Sequence, residues 1–119
     1  MMKTSKNVVK GRFGETAAEG FLRGKGYSII VKNYKKGRGE IDIIAKSPDG
    51  YIVFTEVKYR KTHALGRPGL AVTKTKIASL RHCASYYIME NQLDCDMRFD
   101  VIEIVGTELL EIEHIENAF

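Results

Sequence analysis

Gly39-Glu40-Ile41-Asp42-Ile43-Ile44-Ala45-Lys46 is followed by Ser47-Pro48-Asp49-Gly50 and then by Tyr51-Ile52-Val53-Phe54-Thr55-Glu56-Val57-Lys58-Tyr59-Arg60. Two runs rich in Ile, Val, Phe and Tyr flank a four-residue turn signal, the pattern of a β-hairpin. Both runs carry charge where a buried strand should not: Asp42 among three isoleucines, Glu56 and Lys58 beside Phe54 and Val57. A charge in an apolar strand must be paired, bound to a metal or exposed in a cleft, because burying it alone costs too much.

The turn decides whether these charges meet. Pro48 presets φ for the first central position of a type I turn and Asp49 suits the second. Gly50 can then take the left-handed conformation of a three-residue loop with a bulge. That loop pairs Lys46 with Ile52, Ile44 with Phe54, Asp42 with Glu56 and Glu40 with Lys58. Opposite residues share a face, with Cβ atoms roughly 5 Å apart. A two-residue loop would instead pair Asp42 with Thr55 and divide the acids between faces. Pro48-Asp49-Gly50 favours the bulged register. Two facing carboxylates repel, and a hard divalent cation such as magnesium or manganese relieves that repulsion. Lys58 could then orient a water or offset charge on a phosphate. The alternative is a cross-strand salt bridge from Glu40 to Lys58.

These residues resemble a known group. Asp42 with Glu56-Val57-Lys58 resembles the PD-(D/E)XK nuclease superfamily, an acid on one strand and Glu-x-Lys on the next. Gly39-Glu40-Ile41-Asp42, Phe54 to Arg60 and Arg98-Phe99-Asp100-Val101 resemble the YraN-like uncharacterised bacterial family, which is similar to archaeal Holliday junction resolvases. Ile41 stands where the superfamily name has proline. The resemblance runs from about Gly11 to Ile104. It implies a restriction-endonuclease-like fold, Asp42 and Glu56 as metal ligands with the Val57 carbonyl as a third, and Glu15 on the first helix facing the metal. It also implies contact of Lys76 with the substrate backbone and a homodimer acting on branched DNA. Without the resemblance, Glu15 reads as an acid favoured by the positive end of its helix.

At 119 residues the chain is long enough for one domain with one core. No apolar stretch approaches membrane-spanning length, and no apolar run follows the basic N-terminus, so no membrane partner and no secretory signal are expected. Cys83 and Cys95 lack metal-ligand spacing; reduced thiols in a cytoplasm are expected. The net charge of +4 hides an asymmetry: residues 1–102 hold all 19 Lys and Arg against 10 of the 15 acids, a net +9. That balance favours a polyanion such as DNA.

Residues 1–10 read as a flexible basic arm and 11–119 as the single domain. A helix is expected over Arg12 to Arg23, from the Phe13, Ala17, Phe21 and Ala18, Leu22 spacing. Tyr27 to Lys35 reads as a first strand. Lys35, Lys36 and Arg38 then form a glycine-containing basic loop beside the acids. Arg60, Lys61, His63 and Arg67 form a second. Both are candidates for gripping phosphates. Thr73 is a candidate N-cap for a helix running to about Glu90, with Cys83 among its core residues. Met97 to Val105 and Glu108 to Glu116 read as strands joined by the two-residue turn Gly106-Thr107, the last an acidic edge strand. The order helix, three strands, helix, two strands gives an α/β fold with a mixed five-stranded sheet, the second helix allowing a parallel crossover. The expected function is metal-dependent hydrolysis of phosphodiester bonds; the alternative is a nucleic-acid-binding module of the same fold without catalysis.

Overall fold

The computed structural model describes residues 6–62 and 73–119. Its elements run α1 (Lys6–Gly24), β1 (Ser28–Lys36), β2 (Gly39–Lys46), β3 (Ile52–Arg60), α2 (Lys74–Glu90), β4 (Met97–Gly106) and β5 (Leu110–Ile115). The five strands form one sheet in sequence order, β1-β2-β3-β4-β5. β3 and β4 are parallel and every other neighbouring pair is antiparallel. This is the expected mixed α/β architecture, consistent with a restriction-endonuclease-like fold. Among the described residues no helix is long and apolar enough to cross a membrane.

The two helices cover opposite faces. Ala18 and Leu22 of α1 pack on Ile43, Ala45, Val53, Ile102 and Ile104. Leu80, Cys83, Ala84 and Tyr87 of α2 pack on Ile41, Ile44, Ile52 and Phe54. The core is therefore two layers divided by the sheet. α2 starts at the expected cap: Thr73 accepts a hydrogen bond from the Lys76 amide through its side-chain oxygen.

The β2–β3 turn has the expected form. Ser47 N donates to Tyr51 O (2.9 Å), Gly50 N donates to Ser47 O (3.0 Å), and Gly50 takes φ +93°. Pro48, Asp49 and Gly50 are the loop, and Ile44 faces Phe54 while Lys46 faces Ile52. A side chain at Gly50 would be strained in that conformation.

Three boundaries differ from those expected of the sequence. α1 begins at Lys6, so the second half of the supposed flexible arm is helical, and residues 1–5 lie outside the described residues. The helix survives Gly11 and Gly14 because packing outweighs propensity. A Cβ on Gly14 would stand 2.9 Å from the Tyr59 Cβ, so glycine lets α1 lie close on β3. The basic stretch after β1 is a tight turn rather than a loop: Lys36 pairs with Gly39, and only Gly37 and Arg38 lie between the strands. At the other edge, Gly106 pairs with Leu110, so a three-residue loop, not Gly106-Thr107, joins β4 to β5.

A buried charge network locks the amino-terminal end of β4. Asp100 is 0% exposed and accepts from Arg98 Nε and the second guanidinium nitrogen (both 2.9 Å), from the Asn117 amide (3.1 Å), and lies 2.6 Å from His114 Nε2. Arg98 also donates to the Tyr27 hydroxyl and pairs with Glu116. Burial would raise the Asp100 pKa, but the bonds from His114, Arg98 and Asn117 hold it below the usual carboxylate value.

Candidate functional site

The β2–β3 ladder runs from Lys46–Ile52 to Ile43–Thr55 and stops there, although both strands continue. Alternation in β2 breaks at the same point: Ile41 and Ile44 lie in the α2 layer, Ile43 and Ala45 in the α1 layer. Asp42 sits at the break. Val57 N, which would otherwise lose its ladder partner, donates to Asp42 Oδ2 at 2.8 Å. The two strands thus diverge around a carboxylate. The last paired position sets Thr55 against Ile43 and not against Asp42, and the Glu56 carboxylate acts directly on that of Asp42.

Glu56 shares the face of Ile52 and Phe54, the α2 side, by strand alternation. It is buried, and its Oε2 has no hydrogen-bond partner. The Asp42 pKa is pushed up to about 8: burial is the main cause and the Glu56 charge the next, with the Val57 amide opposing, and Glu15 adding a smaller upward push. Two carboxyls drawn out of water are thus held together without enough positive charge between them. That Glu15 acts on Asp42 puts the half-buried first-helix acid toward the pair.

A hard dication with oxygen ligands fits this donor set. It would satisfy the orphaned Glu56 oxygen and replace the proton that Asp42 otherwise holds near neutral pH. Among the described residues no three His, Cys, Asp or Glu side chains cluster as a metal cage. Asp42 and Glu56 would therefore need a backbone carbonyl, for which Val57 is the candidate, and water to complete the shell.

Lys58, half-buried, occupies the next position on the Glu56 face. The alternative, a Glu40–Lys58 salt bridge, does not form, because the ladder has already opened where the two would pair. Glu40 instead faces Lys35 across β1–β2. In the parallel ladder Lys58 is opposite Glu103, an acid only 5% exposed that was not among the expected site residues. Its signal was present: an acid between Ile102 and Ile104, the same anomaly as Asp42.

The cations are divided. Lys76, expected to face a substrate, reaches inward with Nζ 3.6 Å from Glu56 Oε2. Lys36 is held by Glu90 at 2.5 Å. Lys35 and Arg38 are exposed at the β1–β2 turn, Arg60 is half-buried at the end of β3, and Lys61 is exposed. Arg67 and His63 lie outside the described residues. Because β2 enters from the β1–β2 turn, that turn and the end of β3 lie at the same end of the sheet as the carboxyl pair.

Residues 14–104 match the model of the uncharacterised protein family UPF0102. A UPF0102 protein of Clostridioides difficile is 47% identical over 95% of this chain and 98% of its own length. Others, from Thermodesulfovibrio yellowstonii and Trichlorobacter lovleyi, are 46% and 42% identical over 92% and 95% of this chain and 94% and 91% of their own. The chain belongs to the UPF0102 family.

Proposed function

We propose that the protein is a metal-dependent nuclease that hydrolyses phosphodiester bonds in DNA. The observation that carries this reading is the Asp42–Glu56 pair at the point where β2 and β3 part, with Lys58 one position further on the Glu56 face. A structural salt bridge would bond these acids directly to cations; Lys76 instead stands 3.6 Å from Glu56 Oε2, beyond a normal hydrogen bond. Here one carboxyl holds a proton above its usual range and the other keeps an unbonded oxygen.

Asp42 and Glu56 would hold magnesium or manganese, which when bound polarises a phosphate and acidifies a water. Val57 serves twice: its amide fixes the Asp42 carboxyl at 2.8 Å, and its carbonyl is the third candidate ligand. Lys58 places its ammonium group beside the scissile phosphate, where it orients the attacking water and stabilises the charge that builds on the phosphorus oxygens. Glu15 supports the pair from α1. Lys35, Arg38, Arg60 and Lys61 hold the flanking backbone. One such centre cuts one strand per binding event. Cutting two strands together needs two centres, most simply in a two-fold homodimer.

Purified protein incubated with linear, flapped, single-stranded and four-way DNA, with and without magnesium or manganese, tests the proposal. Cation-dependent cleavage that Lys58→Ala abolishes while DNA binding persists is expected. Cation-independent DNA binding with no cleavage of any substrate would favour the non-catalytic module.

A further inference from the structure

Only 8% of the Glu56 side chain is exposed, and its Oε2 lacks a hydrogen bond. A buried carboxylate oxygen in that state is costly until a cation or donor reaches it. The cation that stands nearby is Lys76. Its Nζ is 3.6 Å from Oε2, beyond a normal hydrogen bond but within strong Coulomb attraction at a half-buried site.

Lys76 belongs to the first turn of α2, which carries no acid. The positive end of the helix dipole, Lys74 and Lys76 therefore share one sign, an arrangement suited to an anion in front of the helix. The Lys76 side chain is 41% exposed, so its stem can release Glu56 and swing outward without disturbing the core. The ammonium group is close to a buried acid and on the path to open solvent.

We propose that Lys76 is a resident counter-cation of the Asp42–Glu56 pair, exchanged for a divalent cation and thereby freed to grip a phosphate of the bound strand. This rests on the reading of the pair as a cation site. Only ion pairs change: the dication supplies the charge at Glu56 that the ammonium supplied before. The lysine is then withheld from nucleic acid until the cation arrives, so the two ligands bind with positive coupling.

Calorimetric titration of manganese into the full chain, without nucleic acid, tests the exchange. Lys76→Met removes the competing ammonium and should bind manganese roughly two- to fivefold more tightly than wild type, the upper range of a partly exposed ion pair. Lys76→Arg keeps the pairing and should match wild type. Affinity for duplex DNA is then read in calcium and in chelator. Calcium should strengthen wild-type binding, and Lys76→Met should show little of that strengthening. Wild-type or weaker manganese affinity in Lys76→Met, with binding still abolished by Glu56→Gln, overturns the exchange and leaves the cation site standing. Absence of manganese binding in wild type overturns both.

Discussion

Asp42 makes the metal-free fold progressively less stable as pH rises above the ordinary carboxylate value. Its pKa in the folded chain, about 8, lies above the ordinary carboxylate value, so between roughly pH 4 and pH 8 the folded state holds a proton that the unfolded state has released. Stability of the metal-free protein must fall as pH rises through that window and level off above it. Asp42→Asn removes the penalty while keeping an acceptor for the Val57 amide. In chelator at pH 8 it should be more stable than wild type by about 2 kcal/mol, allowing for partial solvation, or about 8–16 °C in melting temperature. The two should converge near pH 4. Parallel melting curves across this range would show that the carboxyl is ordinary. Asp100 has the opposite sign. Its pKa is held down, so its contribution is complete above the ordinary carboxylate range and is lost as pH falls through and below it. Asp100→Ala leaves Arg98 buried without its main partner and should cost about 3–5 kcal/mol by urea unfolding. A loss under about 1 kcal/mol would mean that Glu116 and Tyr27 suffice. The carboxyl pair was legible in the sequence because acids stood among Ile, Val and Phe. The Asp100 network was not: Arg98 and Asp100 read as an ordinary alternating polar face, and their partners Tyr27, His114 and Asn117 are distant in the chain.

Between elements, the β2–β3 register was legible because Pro48-Asp49-Gly50 has few conformations that close a hairpin. The divergence of the strands beyond Ile43 was not, since Ile41-Asp42-Ile43-Ile44 has no alternation to interrupt. The start of α1 was not legible for a similar reason. Gly14 weakens an isolated helix, yet here it is the residue that lets the helix touch β3. Gly14→Ala therefore has two opposed effects. It gains about 1 kcal/mol of helix propensity and forces a Cβ into the Tyr59 Cβ at 2.9 Å. Because the obstructing atom is close to backbone, the clash should dominate. The variant should melt below wild type, and Glu15, the next residue, should be drawn back from the pair. A higher melting temperature would show that α1 can shift without cost.

On the scale of the molecule, one end of the sheet gathers the carboxyl pair, Lys58, the β1–β2 turn and the start of α2. The other end holds the Asp100 network and the carboxy-terminal residues Asn117 and Phe119. The acidic strand β5 lies at the sheet edge, as its composition implied. The charge asymmetry thus becomes a spatial one, with basic turns near the acids that would hold a cation. Replacing Lys35 and Arg38 with alanine should weaken DNA binding and flatten its salt dependence by about 1 in log–log slope for each phosphate no longer neutralised. Lys36→Ala alone should change the slope less, because Glu90 already engages that ammonium. An equal effect of all three would mean that the Glu90 pair opens on binding. What sequence could not supply at this scale was the inward turn of Lys76, since nothing in a helix's first turn reveals which distant strand it meets.

The most direct measurement is a crystal soaked in manganese and examined by anomalous diffraction. One peak is expected between the Asp42 and Glu56 carboxylates, about 2.1 Å from an oxygen of each, with the Val57 carbonyl or water completing the shell and Lys76 turned away from Glu56. Full-occupancy manganese elsewhere, with Asp42 and Glu56 still in mutual contact and Lys76 still on Glu56, would contradict it.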